Sequence, residues 1–154
     1  MGTIESIHIA SKKRQQVEQL ETAILESGKG IAGDRYHLMS TNMLAKGKLA
    51  PMNHITLIAK EELDAFLNRH SASLNYGDFR RNVITSGIDL NKLVDKEFQI
   101  GSAVCRGIEL CEPCQVLSRT VYGAVLPELI HRAGLRAIII ADGEVKPGDS
   151  IEAR

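Results

Sequence analysis

The most reactive side chains of this 154-residue chain are three cysteine thiols that lie in one short stretch of its C-terminal third. Cys105 lies in a strand-like run, and Cys111 and Cys114 form the pair Cys111-Glu112-Pro113-Cys114. Paired thiols can carry sulfur, bind a metal or exchange a disulfide. The function therefore depends on what surrounds this stretch.

The CxxC pair is compatible with several kinds of site. A Cys3His zinc centre would use all three cysteines and one histidine, but no second CxxC or paired HxxxH accompanies them. A thioredoxin-type redox pair needs a βαβ fold around it, which the pattern of the chain does not indicate. Cys105 and Cys111 are also typical of small buried strand residues, and we favour that interpretation for both. Cys114 follows Pro113, where a strand ends and a helix is expected, and a helix N-terminus stabilises a thiolate.

Two arginine-containing segments could bind an anion. In Arg80-Arg81-Asn82, adjacent strand residues point to opposite faces, so at most one arginine lines a given pocket. Its guanidinium could hold a phosphate or carboxylate, or the two arginines could simply be solvated at a strand edge. Asp34-Arg35 follows a glycine-rich turn and could form either an ion pair or an anion site. The residues alone leave both questions open.

Many short strands with two helices between them predict a mostly β fold, a β-barrel with helical insertions. We expect strands over residues 4–10, 17–25, 54–59, 79–85, 98–100, 103–105, 108–111 and 135–141, and helices over 60–70 and 115–131. Turns are expected at 30–35, at Asp142-Gly143 as a hairpin, and at Pro147-Gly148-Asp149. No alternating βαβ units are visible, which argues against a doubly wound parallel sheet.

Length and charge restrict the class of protein. The chain is most simply one domain, residues 1–154. Its 19 basic and 19 acidic residues cancel, so it lacks the basic excess of a dedicated nucleic-acid binder. No apolar run is long enough to span a bilayer, and the N-terminus does not resemble a signal peptide. Together with the cysteine content, this predicts a cytoplasmic protein without nucleic-acid or membrane partners.

Taken in order, the motifs resemble the MOSC domain family, which is named after the C-terminal domain of molybdenum cofactor sulfurases. The resemblance covers nearly the whole chain and is to a stand-alone bacterial-type member, without an attached pyridoxal-phosphate sulfurase domain. It is carried by Gly30-Ile31-Ala32-Gly33-Asp34-Arg35, residues 80–90, Phe98-Gln99-Ile100-Gly101, Cys111-Glu112-Pro113-Cys114, Gly134-Leu135-Arg136-Ala137 and Pro147-Gly148-Asp149.

The resemblance implies a closed, mostly antiparallel β-barrel with a few helices. It implies that Cys114 is the catalytic cysteine, which either carries sulfur as a persulfide or binds the molybdenum of a pterin cofactor. The arginines of the pocket would be Arg35 and either Arg80 or Arg81, with Asn82 beside them. Cys111 is a departure towards two-cysteine variants and could be a resolving thiol. Tyr36 separates Arg35 from His37, and the stretch from Leu38 to Asn53 also departs from the family pattern.

Three functions follow from these implications. In the first, Cys114 accepts sulfane sulfur from a cysteine desulfurase or another donor and passes it to an acceptor protein that holds a metal cofactor. In the second, the chain is a molybdenum-cofactor enzyme that reduces N-hydroxylated compounds, with Cys114 as the metal ligand. In the third, it is a non-enzymatic module that binds a small anion.

Overall fold

Strands dominate the computed structural model, which describes residues 1–10, 18–48, 54–70, 81–111 and 134–154. The strands are β1 (Gly2–Ile9), β2 (Glu18–Leu20), β3 (Ala23–Glu26), β4 (Gly30–Ile31), β5 (Ile55–Ala59), β6 (Val83–Ser86), β7 (Glu97–Ile100), β8 (Ala103–Leu110), β9 (Leu135–Ala141), β10 (Gly143–Val145) and β11 (Ser150–Ala153). The helices are α1 (Arg35–Ala45), α2 (Lys60–His70) and a short 3-10 helix (Leu90–Leu93).

Seven of the described strands form a closed barrel in the order β11-β7-β8-β9-β5-β6-β1, and β1 pairs again with β11 to close it. β2 extends the sheet along β1, while β10, β3 and β4 form a small second sheet. The closed, mostly β architecture is confirmed. The barrel is mixed rather than antiparallel, because β5 and β6 run parallel with α2 between them in the chain. One βαβ unit is therefore present where none was expected.

The barrel interior is aliphatic, as the composition requires, because the chain has no tryptophan and few other aromatic residues. Alternate residues along each strand point inwards, so that one set from each strand builds a shared core. Ile58 and Ile84 point the other way and are also buried, on the side where α2 contacts β5 and β6. Leu63 and Phe66 are the buried face of α2. The predicted helix over 60–70 and the predicted strands over 54–59 and 135–141 are confirmed.

Other predicted boundaries are wrong for identifiable reasons. The two strands expected over 103–105 and 108–111 are one strand, β8, which continues through Gly107 with a shift in register. A side chain at Gly107 would collide with the carbonyl oxygen of Leu93, so the glycine allows a close approach instead of ending the strand. Asp142-Gly143 is not a hairpin turn, because β9 pairs with β8 and β5 whereas β10 pairs with β3.

The helix α1 was not predicted. It begins directly after the glycine-rich turn, where Asp34 has extended backbone and its carboxylate accepts a hydrogen bond from the Tyr36 N–H. An aspartate in this position satisfies a backbone donor of the first helical turn that would otherwise have no partner. The predicted turn at Pro147-Gly148-Asp149 is confirmed. The helix expected over 115–131 lies outside the described residues.

Candidate functional site

Two of the arginines that the sequence singles out lie beside the same end of β1. The N–H of Arg35 donates a hydrogen bond to the carbonyl oxygen of Ala10, the residue that follows β1. On the other side, the antiparallel register of β1 and β6 continues to the pair His8 and Asn82, where the His8 N–H donates to the Asn82 carbonyl. Arg81, which is partly buried, immediately precedes Asn82. The end of β1 therefore brings Arg35 and Arg81 to one region of the barrel.

Asn82 holds three strands together at this point. Its side-chain Oδ1 accepts hydrogen bonds from the backbone N–H and the hydroxyl of Thr56, at 3.0 and 3.1 Å. The Thr56 hydroxyl oxygen accepts in turn from the Asn82 N–H, and Asn82 Nδ2 donates to the His8 carbonyl at 3.0 Å. The Asn82 side chain is only 1% exposed. These bonds fix the backbone that carries Arg81, and the predicted contact between Asn82 and a cofactor stays a prediction.

Asp34 ties the first turn of α1 to the barrel. Its carboxylate is fully buried, and Oδ1 accepts a 3.0 Å hydrogen bond from the Ala10 N–H. The same oxygen lies 3.1 Å from Nη1 of Arg35, so the two residues form an ion pair across the turn. The Arg35 guanidinium also stacks on the Tyr36 ring at 4.4 Å and reaches its hydroxyl at 3.3 Å. This ion pair is one of the two alternatives that the sequence left open, and it partly neutralises Arg35.

His37 lies one turn further along the same end of α1. Its Nε2 is 3.2 Å from Oε1 of Glu26 on β3, close enough for an ion pair but without hydrogen-bond alignment. Gly30 allows this approach, because a side chain there would press against the His54 carbonyl and the His37 backbone. The His37 imidazole is therefore held between the small sheet and α1. The structure gives it an acidic neighbour, which the sequence did not predict.

The described cysteines are both buried, as the sequence analysis favoured. Cys105 has no exposed surface and lies in the main core, and burial raises the pKa of its thiol to about 12. Cys111 follows β8 and is 3% exposed. A thiol with so high a pKa carries almost no thiolate near neutral pH, so Cys105 is a structural residue.

Cys111 and the Arg81-Asn82 pair lie next to the two ends of one row of paired residues. The register aligns Val83 with Leu57, Leu57 with Leu135 and Leu135 with Leu110. Asn82 precedes the first residue of this row and Cys111 follows the last. The row spans three strand spacings, about 14 Å measured along the curved sheet. Because β6 and β8 run in the same direction, the chain leaves towards Cys114 on the opposite side of this row from the side on which Arg81 enters.

A cleft opens beside the point where the cysteine-containing segment leaves the barrel. The Cys111 N–H donates a 2.8 Å hydrogen bond to the carbonyl oxygen of Gly134, and Gly134 lines this cleft of about 480 Å³. The other lining residues are Ala59, Glu61, Glu62, Ile88, Asp89, Leu90 and Asn91. Three carboxylates make its wall acidic. Within the described ranges, no three His, Cys, Asp or Glu side chains are grouped so that they could hold a metal ion.

Cys114 and Arg80 lie outside the described residues, so the structure places only Arg35, Arg81, Asn82 and Cys111 of the predicted site. Sequence reasoning missed the buried pair Ser6 and His8, whose Oγ and Nε2 share a 2.9 Å hydrogen bond. The available indication was a histidine between Ile7 and Ile9 in the predicted strand, on the same side of it as Ser6. Burial lowers the pKa of the His8 imidazole, because desolvation disfavours its charged form.

The resemblance to the MOSC family implies a molybdenum cofactor, and the donor groups of the described residues test whether such a group fits here. Its anionic end requires cationic or N–H donors, and Arg81 with the nearby Arg35 is of the right chemistry. The Arg35 guanidinium already faces the Asp34 carboxylate, and the Asn82 amide is used within the barrel. In chemistry, the described residues therefore fit the phosphate of such a group through the cationic side chains of Arg35 and Arg81. No helix among the described residues is long and apolar enough to cross a membrane.

Comparison with known proteins agrees with this architecture. A family model described as MOSC domain matches residues 45–152. The fold is similar to a crystal structure of the YuaD protein from Bacillus subtilis, with a TM-score of 0.78 and 20% identity over 99% of this chain and 96% of that one. It is also similar to YiiM from Geobacillus stearothermophilus, with a TM-score of 0.72 and 14% identity over 100% of this chain and 75% of that one. YiiM from Escherichia coli gives 0.68 and 15%, over 99% and 69% of the two chains. No curated protein matches the sequence.

Proposed function

Because the chain belongs to the MOSC domain family, we propose that it carries sulfur, with Cys114 accepting a sulfane sulfur as a persulfide and passing it to an acceptor. The observation that carries this proposal is the burial of the other two thiols. Cys105 is sealed in the core with its pKa raised to about 12, and Cys111 is almost fully covered. Neither is suited to meet a large sulfur donor, which favours Cys114 as the working thiol.

The position of Cys114 in the chain supports the same assignment. Only two residues separate it from Cys111, so their Cα atoms are at most about 11 Å apart. The Cys111 backbone is fixed to Gly134, a residue of the acidic cleft. We therefore expect the Cys114 thiol to lie near this cleft, where a donor reaches it.

The transfer is a thiolate displacement. The Cys114 thiolate attacks the terminal sulfur of a donor persulfide, R–S–SH, and a new S–S bond forms between the two sulfurs. The S–S bond of the donor breaks, and R–S⁻ leaves with the electron pair. Cys114 then carries –S–SH, and an acceptor thiolate can take the terminal sulfur by the same displacement, with the Cys114 thiolate as the leaving group. No external oxidant or reductant is needed. A cysteine desulfurase is the class of donor that presents such a persulfide.

A second candidate is suggested by Arg35 and Arg81 beside the same end of β1. Two arginines whose backbones lie in one region favour an anionic ligand such as the phosphate of a molybdenum cofactor. When bound, that group would supply a redox-active metal for the reduction of N-hydroxylated compounds, with Cys114 as a thiolate ligand. If only a phosphate is held and no chemistry follows, the chain is a small-anion-binding module.

The first experiment is sulfur loading followed by mass spectrometry of the intact chain. The reduced protein is incubated with glutathione persulfide, and we expect the wild type to gain one sulfur and Cys114→Ser to gain none. Cys105→Ala is the matched control and should load like the wild type. Equal loading of Cys114→Ser and wild type would overturn the assignment.

Metal analysis separates the two candidates. The protein is purified from a host that makes the molybdenum cofactor, and its molybdenum content is measured by inorganic mass spectrometry. Sulfur loading without molybdenum supports the carrier. Stoichiometric molybdenum that is lost in Arg81→Ala supports the cofactor enzyme instead.

A further inference from the structure

The outer face of the barrel carries polar side chains in a row that runs from β8 to β1. Glu109 lies opposite Arg136, and Arg136 lies opposite Thr56. Hydrogen bonds continue the row from Thr56 to Asn82 and from Asn82 to His8. Core residues adjoin Arg136, Thr56 and Asn82 along their strands, so these side chains point out of the barrel. We refer to these residues as the polar row.

The middle of the polar row is closed on itself. Thr56 and Asn82 are 2% and 1% exposed. The Asn82 Oδ1 accepts from the Thr56 hydroxyl, and the Thr56 hydroxyl oxygen accepts from the Asn82 N–H. The oxygens of both side chains are therefore already engaged. Any acceptor for their neighbour Arg136 has to come from another direction.

Arg136 is the member of the polar row with an unsatisfied donor. Its Nε is buried and has no hydrogen-bond partner among the described residues. Its Nη1 lies 3.0 Å from Oε1 of Glu109. The N–H groups of Nε and Nη2 point in one direction and form the edge that binds a carboxylate or phosphate through two parallel hydrogen bonds. The contact with Glu109 does not use this edge.

Glu109 is a weakly held partner of Arg136. The two side chains are 59% and 32% exposed, and ion pairs as exposed as this contribute little because water screens them. The contact through Nη1 alone also lacks the second hydrogen bond of a bidentate pair. An incoming oxyanion can therefore displace Glu109, after which the guanidinium turns its unused edge to the ligand.

We propose that Arg136 binds an oxyanion, a carboxylate or a phosphate, in exchange for Glu109. Arg136 lies two positions after Gly134, and Glu109 lies two positions before Cys111. Cys111 and Gly134 are hydrogen-bonded to each other at the base of the segment that contains Cys114. Two residues of extended strand span about 7 Å, a distance that an arginine side chain covers. The oxyanion is therefore held beside this base.

Only the source of the oxyanion rests on the proposed sulfur transfer. A small persulfide donor such as glutathione persulfide carries carboxylates on the same molecule as its terminal sulfur. Arg136 then holds such a donor by a carboxylate while the Cys114 thiolate attacks its sulfur. A phosphate would instead belong to a phosphorylated ligand of the same region.

Proton–nitrogen NMR of the arginine Nε–H groups tests the binding directly. The protein is titrated with sodium acetate and, separately, with inorganic phosphate, with sodium chloride keeping the ionic strength constant. We expect a saturable shift of the Arg136 Nε–H signal, which is identified by its absence in Arg136→Gln. Saturation by acetate alone assigns a carboxylate ligand, and saturation by phosphate alone assigns a phosphate. A signal that moves with neither anion overturns the proposal.

Glu109→Gln separates ligand binding from a purely structural ion pair. The variant lacks the competing carboxylate, so the dissociation constant of the anion should fall about threefold or more. Arg106→Gln is the matched control, because Arg106 is an exposed arginine on the same strand as Glu109, and it should bind the anion like the wild type. Equal or weaker binding in Glu109→Gln would contradict the exchange of partners.

Sulfur loading with glutathione persulfide tests the source of the oxyanion. In Arg136→Gln, the donor concentration for half-maximal loading of Cys114 should rise about tenfold, with the maximal rate kept. An unchanged concentration would overturn the donor as the source. If Cys114 takes up no sulfur in the wild type, the sulfur-transfer proposal fails, and the NMR titration still decides whether Arg136 binds an oxyanion.

Discussion

The backbone N–H of Cys111 donates a 2.8 Å hydrogen bond to the carbonyl oxygen of Gly134, and so joins the two ends of the segment that contains Cys114. The next pair inwards, Leu110 and Leu135, is already in register between β8 and β9. The cysteine-containing segment thus connects two paired strands, and the hydrogen bond between Cys111 and Gly134 fixes the distance between its two ends. The position of the proposed working thiol, Cys114, depends on this hydrogen bond.

Gly134 should tolerate no side chain. Its φ is +105°, and a Cβ there would collide with the carbonyl oxygen of Leu57 on β5. We expect Gly134→Ala to lower the free energy of unfolding by more than about 4 kcal/mol, because the backbone of a central strand must move. Denaturant unfolding measures this. Gly28→Ala is the control, since Gly28 also has a positive φ but nothing within 4 Å, and should cost only about 1–2 kcal/mol. Equal losses would show that the collision is relieved cheaply.

The cysteines should differ strongly in reactivity. Limited alkylation with iodoacetamide near neutral pH, followed by peptide mass spectrometry, should modify Cys114 first and leave Cys105 unmodified until the chain unfolds. Cys105 has no exposed surface and a pKa raised to about 12, so both access and thiolate are lacking. Cys105→Ser should cost about 1–3 kcal/mol through its buried hydroxyl. Early labelling of Cys105 would contradict the assignment of the working thiol.

Cys111 is the informative case among the thiols. Loss of sulfur release in Cys111→Ser, with loading intact, would indicate that Cys111 resolves the persulfide on Cys114. Unchanged loading and release would show that Cys114 acts alone.

Asn82 should contribute strongly to stability. Truncation in Asn82→Ala removes the acceptor of the Thr56 N–H and hydroxyl and the donor to the His8 carbonyl, all of them buried. Unpaired buried groups of this kind should lower the unfolding free energy by about 3 kcal/mol. Gln99→Ala, at an exposed strand position, should change it by less than about 0.5 kcal/mol. A small effect at Asn82, measured in the same denaturant series, would mean that water replaces these bonds.

His8 should make the fold sensitive to mild acid. Burial lowers the pKa of its imidazole below the ordinary value of 6.5, so the unfolded chain binds the proton more readily. The contribution of His8 to stability is therefore complete above 6.5 and is lost as the pH falls through the lowered value. The slope is at most about 1.4 kcal/mol per pH unit.

The measurement compares unfolding free energies at about pH 7.5 and about pH 5.5, a range in which histidine titrates. His8→Gln removes the titrating ring and keeps a polar group near Ser6. The variant should lose less stability between the two conditions than the wild type. An identical loss in both proteins would assign the acid sensitivity to other groups.

The sequence predicted correctly the helix and the strand that follow from the local spacing of apolar residues. Lys60–His70 was placed correctly because Leu63 and Phe66 repeat with helical spacing, and Leu135–Ala141 because an apolar run of that length is typical of a buried strand. The turn at Gly148 followed from the residues that favour positive φ. A β-barrel was predicted from the number of short strands, and its closure was implied by the resemblance to the MOSC family.

The predictions were wrong where contacts between segments distant in sequence determine the local structure. Gly107 reads as a strand breaker, yet it is required because the Leu93 carbonyl passes close to it. Asp142-Gly143 is typical of a hairpin turn. In the structure a glycine is needed at position 143 because the backbone of Ala103 passes close to it. The hydrogen bonds of the Asn82 amide are also made with Thr56 and His8, which are remote in sequence. None of these contacts is visible in a local pattern.

The pairing of Gly2 with Ile151 and of Thr3 with Ser150 joins strands from opposite ends of the barrel sequence. During translation, β1 and β7 must wait for β11 with unpaired backbone groups along their edges. Contacts so distant in sequence also slow folding. A premature stop codon ahead of Ser150 would therefore produce an open, aggregation-prone sheet rather than a smaller barrel.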